Sequence, residues 1–270
     1  MKLKVLWAAA AVVALGAGGA AAQSGGPVKI GVLNDMSSLY ADISGPGSVV
    51  AARMAAEDVG GKALGKPIEI VSGDHQNKPD VGAAIARQWY DQDGVDVITD
   101  VPTSSVALAV EEVSREKKRL VLFSGSASSD ITGPKCSPYA AHWTYDTYAL
   151  AHGTGSAVVK TGGDTWFFLT ADYAFGHALE RDTAAVVEKA GGKVLGRVRT
   201  PFPGQDFSSF LLQAQSSKAK VIGLANAGGD TINSIKQASE FGIVSGGQKL
   251  AGLLVFITDV HSLGLKVANG

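Results

Sequence analysis

The chain reads as an α/β protein of two similar lobes, each a parallel sheet flanked by helices. Three observations carry that reading. Short β-branched runs alternate with helical patterns along the chain, as βαβ units require. The runs are nearly continuous rather than alternating in polarity, which marks strands buried on both faces. An irregular stretch from Thr132 to Tyr148 divides them into two sets. With 270 residues, 46% of them hydrophobic, there is material for two cores of ordinary size.

The first set of strands is Lys29–Leu33, Ile68–Ser72, Val95–Thr99 and Leu120–Ser124. After the first strand, a polar loop of Asn34, Asp35, Ser37 and Ser38 leads to Ser44–Gly45–Pro46–Gly47. These open a helix with Val49, Val50, Met54 and Val59 near one face. A second helix starts at Asp80 after Pro79 and carries Val81, Ala84, Ile85 and Trp89. A third starts near Ser104–Ser105 and carries Val106, Ala109, Val110 and Val113. The stretch TGPKCSPYAAHWTYDTY, with two prolines and a cluster of aromatics, reads as the crossing into a second lobe. The second set of strands is Trp166–Thr170, Lys193–Arg199, Val221–Leu224 and Leu250–Phe256. Helices are expected at Asp146–Lys160, Phe175–Ala190, Phe207–Ser216 and Thr231–Phe241. Asp206 is a natural N-cap for the third of these. The implied division is a leader at 1–22, a first lobe at 23–138, a hinge crossing at 139–148 and a second lobe at 149–270.

The leader sets the compartment. Lys2 and Lys4 precede an apolar core, Val5 to Leu15, that is too short to span a bilayer. Ala20–Ala21–Ala22 before Gln23 is a small-residue cleavage pattern, so export with cleavage after Ala22 is expected. Cys136 is the sole cysteine, which rules out an internal disulfide and leaves the fold to its apolar core. The 24 basic and 25 acidic residues nearly balance, and without Lys2 and Lys4 the basic count is 22. That balance argues against a nucleic-acid partner, which needs a basic footprint.

Loops that follow strands are where open α/β sheets bind ligands. In the first lobe they run Asn34 to Tyr40, Asp74 to Lys78, Asp100 to Ser105 and Ser124 to Asp130. The last two, DVPTSS and SGSASSD, place Ser, Thr and small residues beside helix starts. Hydroxyls, free backbone N–H groups and a helix N-terminus together hold a carboxylate without a cationic side chain. Plain N-capping uses the same residue types. The matching loops of the second lobe are Thr170 to Gly176, Ala225 to Asp230 and Ile257 to Asp259. Tyr173 offers a ring and a hydroxyl to close over a ligand, or else, with Phe175, simply fills the space between lobes. Asp172, Asp230 and Asp259 are each placed to neutralise an amino group or to cap the helix that follows.

The opening VKIGVLNDMSSLYADISGPG, the segment SPYAAHWTYDTYALAHGT and the loop TADYAFG resemble periplasmic solute-binding proteins of ABC importers, of the branched-chain amino acid type. The resemblance runs from about Val28 to Gly270. It implies two Rossmann-like lobes in the type I periplasmic binding fold, a periplasmic monomer without cofactor or metal, a small carboxylate ligand and a membrane permease as partner. Members of the family bind branched-chain and other amino acids, amides and urea, or aromatic acids. The resemblance places the ligand carboxylate at Thr103, Ser104 and Ser105 and at Ser124, Ser126 and Ala127, much of it through backbone N–H groups. Tyr173 matches the aromatic that the second lobe closes on the ligand. Asn226 and Asp230 fall near a further contact loop, and Thr258 and Asp259 near the acidic position of amino-acid binders. Ser38 and Tyr40 form the rim, and Tyr40, Tyr173 and Phe175 together would stack on an aromatic acid.

The family crosses between lobes three times, whereas one crossing is legible here. A second lobe left incomplete, and weak or absent binding, are therefore expected of these 270 residues. The same fold also serves ligand-binding sensory proteins. Exported amidases or esterases are the competing class, but there is no GxSxG elbow, GxxxxGK loop or HExxH. Gly16–Ala17–Gly18 lies in the leader, and the five histidines, His75, His142, His152, His177 and His261, have no metal-ligand spacing.

Overall fold

The computed structural model describes residues 26–268; the leader and its cleavage site lie outside the described residues. The first sheet contains β1 (Val28–Asn34), β2 (Lys62–Ala63), β3 (Lys66–Asp74), β4 (Val97–Asp100), β5 (Leu120–Phe123) and β6 (Ala140–His142). Their order is β2-β3-β1-β4-β5-β6. All neighbours are parallel except the short β2–β3 hairpin. Helices α1 (Gly45–Asp58), α2 (Pro79–Gln88) and α3 (Ser104–Lys117) connect them. Leu33, Ile98, Val121 and Phe123 from the strands pack on Ala86, Val106, Val110 and Val113 from α2 and α3.

One packing detail explains two strand glycines. Beyond α2 the backbone widens over Trp89–Asp93, and the buried Trp89 ring lies flat on the sheet. A Cβ at Gly31 of β1 would sit 2.4 Å from that ring, and one at Gly73 of β3 would sit 2.9 Å away. The ring therefore takes the place of side chains on two paired strands, where glycine is otherwise unfavourable.

The second sheet contains β7 (Thr165–Ala171), β8 (Lys193–Thr200), β9 (Val221–Ala225) and β10 (Lys249–Gly252) in the order β10-β9-β7-β8, all parallel. A helical run made of α4 (Thr147–Leu150), a widened turn at Ala151–Gly155 and α5 (Ser156–Lys160) leads into it. Then come α6 (Ala174–Lys189), α7 (Ser208–Ser216), α8 (Gly229–Glu240), α9 (Ile257–Leu263) and α10 (Leu265–Ala268). The run Trp166–Phe167–Phe168–Leu169 shows why β7 is apolar throughout. Trp166 and Phe168 join one core with Leu179 and Val187, while Phe167 and Leu169 join another with Leu211, Ile222 and Leu224. The N-cap of α7 is Phe207 rather than the expected Asp206, which sits one residue earlier and accepts from the Ser208 N–H at 2.9 Å.

Two stretches differ from expectation. Residues 140–142, expected within the irregular crossing, add β6 to the first sheet beside β5, so the chain leaves that sheet only at Trp143. The strand expected over Leu250–Phe256 stops at Gly252, where the lost side chain weakens strand pairing. Leu253 to Phe256 become a loop instead. Among the described residues, no helix is long and apolar enough to cross a membrane.

Candidate functional site

The C-terminal ends of both sheets face each other, and the loops that leave them form the site. In the first lobe those loops are bound into one polar network. The Asn34 side-chain oxygen accepts from Asp35 N at 2.7 Å, Ser44 Oγ at 2.8 Å and Gly45 N at 3.1 Å, and its amide donates to Asp100. Asp35 accepts from Ser38 N at 3.0 Å, Ser38 Oγ at 2.8 Å, Tyr40 N at 2.8 Å and Asn77 Nδ2 at 2.6 Å. Asn77 in turn accepts from the Thr103 hydroxyl, and Asp100 accepts from Ser124 Oγ at 2.9 Å. The turn after β4 is strained: Asp100 and the β-branched Val101 both have left-handed φ values, 81° and 51°. Such a turn persists only because its surroundings fix it, and the Asn34 and Ser124 bonds do so.

This network changes the reading of several candidates. Ser38, Thr103 and Ser124 direct their hydroxyls into the first lobe itself. The Ser104 hydroxyl and the Ala127 N–H, both expected to meet a carboxylate, meet each other at 3.3 Å, with Ser128 N on the same oxygen at 3.1 Å. A serine at the start of a helix is a ready acceptor for a neighbouring loop, which is why this pairing forms. Ser105 is half-buried in the first turn of α3. Ser126 is different: its hydroxyl is buried without a partner among the described residues, while its carbonyl oxygen lies 2.6 Å from His142 Nε2.

In the second lobe Tyr173 occupies the N-cap of α6 in extended conformation. Gly176 lets α6 begin there, because a Cβ would stand 2.1 Å from the Ala171 carbonyl oxygen. The Tyr173 ring stacks on Phe202 with centroids 3.8 Å apart and planes 14° apart, a close and nearly parallel pairing. Its hydroxyl is hydrogen-bonded to that of Tyr40 from the opposite lobe. Burial raises both phenols well above the ordinary tyrosine range, so both stay protonated and the pair is a neutral bond. Asn226 is satisfied within its own lobe by Thr231 at 2.8 Å and Ser234 at 3.0 Å. Asp230 accepts from Gly204 N at 2.9 Å, leaves Oδ2 without a partner, and is pushed up to about 7 by burial. Asp259 caps Phe256 N at 2.8 Å, leaves Oδ1 without a partner, and is raised by burial as well.

Between the lobes lies a cavity of about 20 Å³ lined by Tyr40, Ile43, Pro102, Ala127, Tyr145, Tyr173, Phe175, Ala227, Leu254 and Phe256. That volume holds about one water, so the lobes are shut on each other. A second contact fastens them: Arg181 of α6 meets Asp130 at 3.0 Å, and Asp182 accepts from Ser129 Oγ at 2.7 Å and Thr147 Oγ1 at 2.6 Å. Of the candidates named from sequence, Tyr40, Ala127, Tyr173 and Phe175 line the cavity. Asp230 acts on the two phenols without lining it. Sequence reasoning missed Tyr145, Phe202, Leu254 and Phe256. The prolines flanking Phe202 in the loop after β8 are the signal that marks it.

The family model described as periplasmic binding protein matches residues 27–270 of this chain. The chain belongs to that family. Its α/β architecture is the type I periplasmic binding fold, and the family comprises binding proteins rather than enzymes. A periplasmic binding protein from Burkholderia mallei is 58% identical with a TM-score of 0.88, covering 89% of this chain and 64% of that one. A branched chain amino acid ABC transporter periplasmic ligand-binding protein from Burkholderia xenovorans is 44% identical with a TM-score of 0.73, over the same 89% and 64%. A solute binding protein of an ABC transporter from Rhodopseudomonas palustris, in complex with p-hydroxybenzoic acid, is 25% identical with a TM-score of 0.75, covering 83% of this chain and 61% of that one. The chain thus spans a little under two thirds of the length of these relatives.

Proposed function

We propose that the protein captures a small carboxylate-bearing solute, an amino acid or an aromatic acid, between its lobes and delivers it to the permease of an ABC importer. It acts as a periplasmic monomer released by cleavage after Ala22. The observation that carries this reading is the aromatic wall contributed by both lobes around one apolar cavity. Tyr40 and Tyr173 hold that wall shut through a single neutral hydrogen bond. Opening of the lobes frees two phenol hydroxyls at the point of entry, and a solute that pairs with them replaces the bond it breaks. The rings supply stacking and dispersion to the apolar part of the solute. The unpartnered Ser126 hydroxyl and the N-terminus of α3 suit its carboxylate. The two relatives described with ligand classes, branched-chain amino acids and p-hydroxybenzoic acid, span the chemistry such a wall accepts.

The test is a thermal-shift screen of amino acids, amides and aromatic acids, followed by calorimetric titration of the best solute. A ligand raises the melting temperature with its concentration. The Ser126→Val/Tyr173→Ala double variant is expected to weaken binding by about a hundredfold or more, the scale of losing a buried aromatic anchor. Undiminished affinity in that variant rejects the site.

A further inference from the structure

Asp230 was placed among the ligand contacts by the sequence, yet it does not line the cavity. Its bonded oxygen reaches the backbone N–H of Gly204 at 2.9 Å, across 26 residues of chain. Gly204 closes the loop Pro201–Phe202–Pro203–Gly204 that follows β8, and Phe202 on that loop stacks on Tyr173. Phe202 also lies 5.8 Å from the Tyr40 ring. One carboxylate at the start of α8 thereby fixes the loop that fixes the ring that closes the cleft. We propose that Asp230 is a positioning residue of the aromatic wall: it anchors the Phe202 loop and so sets the stacking of Tyr173, without touching the solute.

The surroundings of Asp230 make this anchor responsive to pH. It is 1% exposed and its second oxygen has no partner among the described residues. Its carboxylate bears on the phenols of Tyr40 and Tyr173, which stay neutral and do not shift it in return. The β8–α7 loop brings the Gly204 N–H and also carries Asp206, which is not among the groups that shift Asp230, and α7 has no titratable side chain. Asp259, His261 and Lys266 on α9 and α10 are not among the groups that shift it. Among the described residues no cation holds the carboxylate ionised, and burial moves its titration to about 7. Above that pH the carboxylate is the stronger acceptor for Gly204 N–H; below it the protonated acid is the weaker one.

The experiment reads the ring directly. The full chain is labelled with 3-fluorotyrosine, the Tyr173 fluorine signal is assigned with Tyr173→Phe, and it is followed from about pH 5.5 to about pH 8.5, spanning the titration expected of a buried acid. The wild-type signal should move with a midpoint of about 7. Asp230→Asn keeps an acceptor for Gly204 N–H and should hold one position throughout. Asp230→Ala loses the anchor and should displace the signal at every pH. A wild-type signal position in Asp230→Ala, or a full titration surviving in Asp230→Asn, overturns the proposal. If Asp230→Ala does not fold, the Asp230→Asn arm decides alone. The proposal rests on reading this cleft as the solute site. Because the ring signal is taken without solute, its failure is distinct from failure of that reading, which the calorimetric titration tests.

Discussion

Replacing either Tyr40 or Tyr173 by Phe leaves the rings in place and removes one hydroxyl from a buried pair. Tyr40 is 2% exposed and Tyr173 9%, and neither hydroxyl has any other partner among the described residues. A single Phe substitution therefore strands the remaining hydroxyl, which costs about 1–3 kcal/mol when a buried polar group is left unpaired. Removing both hydroxyls strands nothing, and the apolar contacts with Phe202 and Phe175 persist. The Tyr40→Phe/Tyr173→Phe double variant should then lie within about 1 kcal/mol of wild type. Urea unfolding of all four proteins gives the complete cycle. A double variant whose loss equals the sum of the two single losses would refute the pairing. It would show the hydroxyls acting independently, with the cleft no longer held by their mutual bond.

Other positions give sharp outcomes. Both carboxylate oxygens of the buried Glu111 lack partners, and burial raises it from 4.5 to about 7 in the folded protein. A raised acid stabilises the fold while protonated, so this contribution is present at acid pH and fades as pH rises through about 7. A rise of that size corresponds to roughly 3 kcal/mol. Glu111→Gln should flatten that part of the stability profile between about pH 4.5 and about pH 7, and an unchanged slope in urea unfolding contradicts it. Asp182→Asn weakens the bonds to Ser129, Thr147 and Arg181, with an expected loss of about 2 kcal/mol. It should also enlarge the scattering radius as the lobes part, and a wild-type radius argues against this fastening. Gly176→Ala forces a Cβ against the Ala171 carbonyl oxygen and should cost about 3 kcal/mol in chemical denaturation, whereas wild-type stability means α6 can start further from β7 than it does here.

The parallel strands were legible because burial on both faces writes a continuous apolar run, as in Trp166–Leu169. What escaped the sequence was local. β6 is three residues long and draws its stability from the edge of a sheet already built, which no pattern within Ala140–His142 reveals. The end of β10 was misjudged because Leu253 to Phe256 are as apolar as a strand; Leu254 and Phe256 are apolar because they line the cavity, and Leu253 because it packs into the core beneath. The site divides in the same way. Tyr173 stood out through its place between a strand and a helix, and the cavity includes it. Ser104 and Ala127 have the composition of an anion site, but composition is silent on whether a hydroxyl faces outward or toward a neighbouring N–H. Phe202 and Tyr145 reach the cleft through loops whose course is set by tertiary contacts such as Asp230 to Gly204.

The placement of the indoles has a practical consequence for spectroscopy. Among the described residues, Trp89 is buried against the first sheet, Trp166 is buried under the second, and Trp143, at 75% exposure, stands on the crossing between them. Besides Trp7 in the leader, the chain thus carries an intrinsic optical label on each lobe and one on the connection. Single Trp→Phe replacements would separate their emission. With them, the two sheets can be watched melting individually, and quenching of Trp143 reports on the connection while both sheets stay intact.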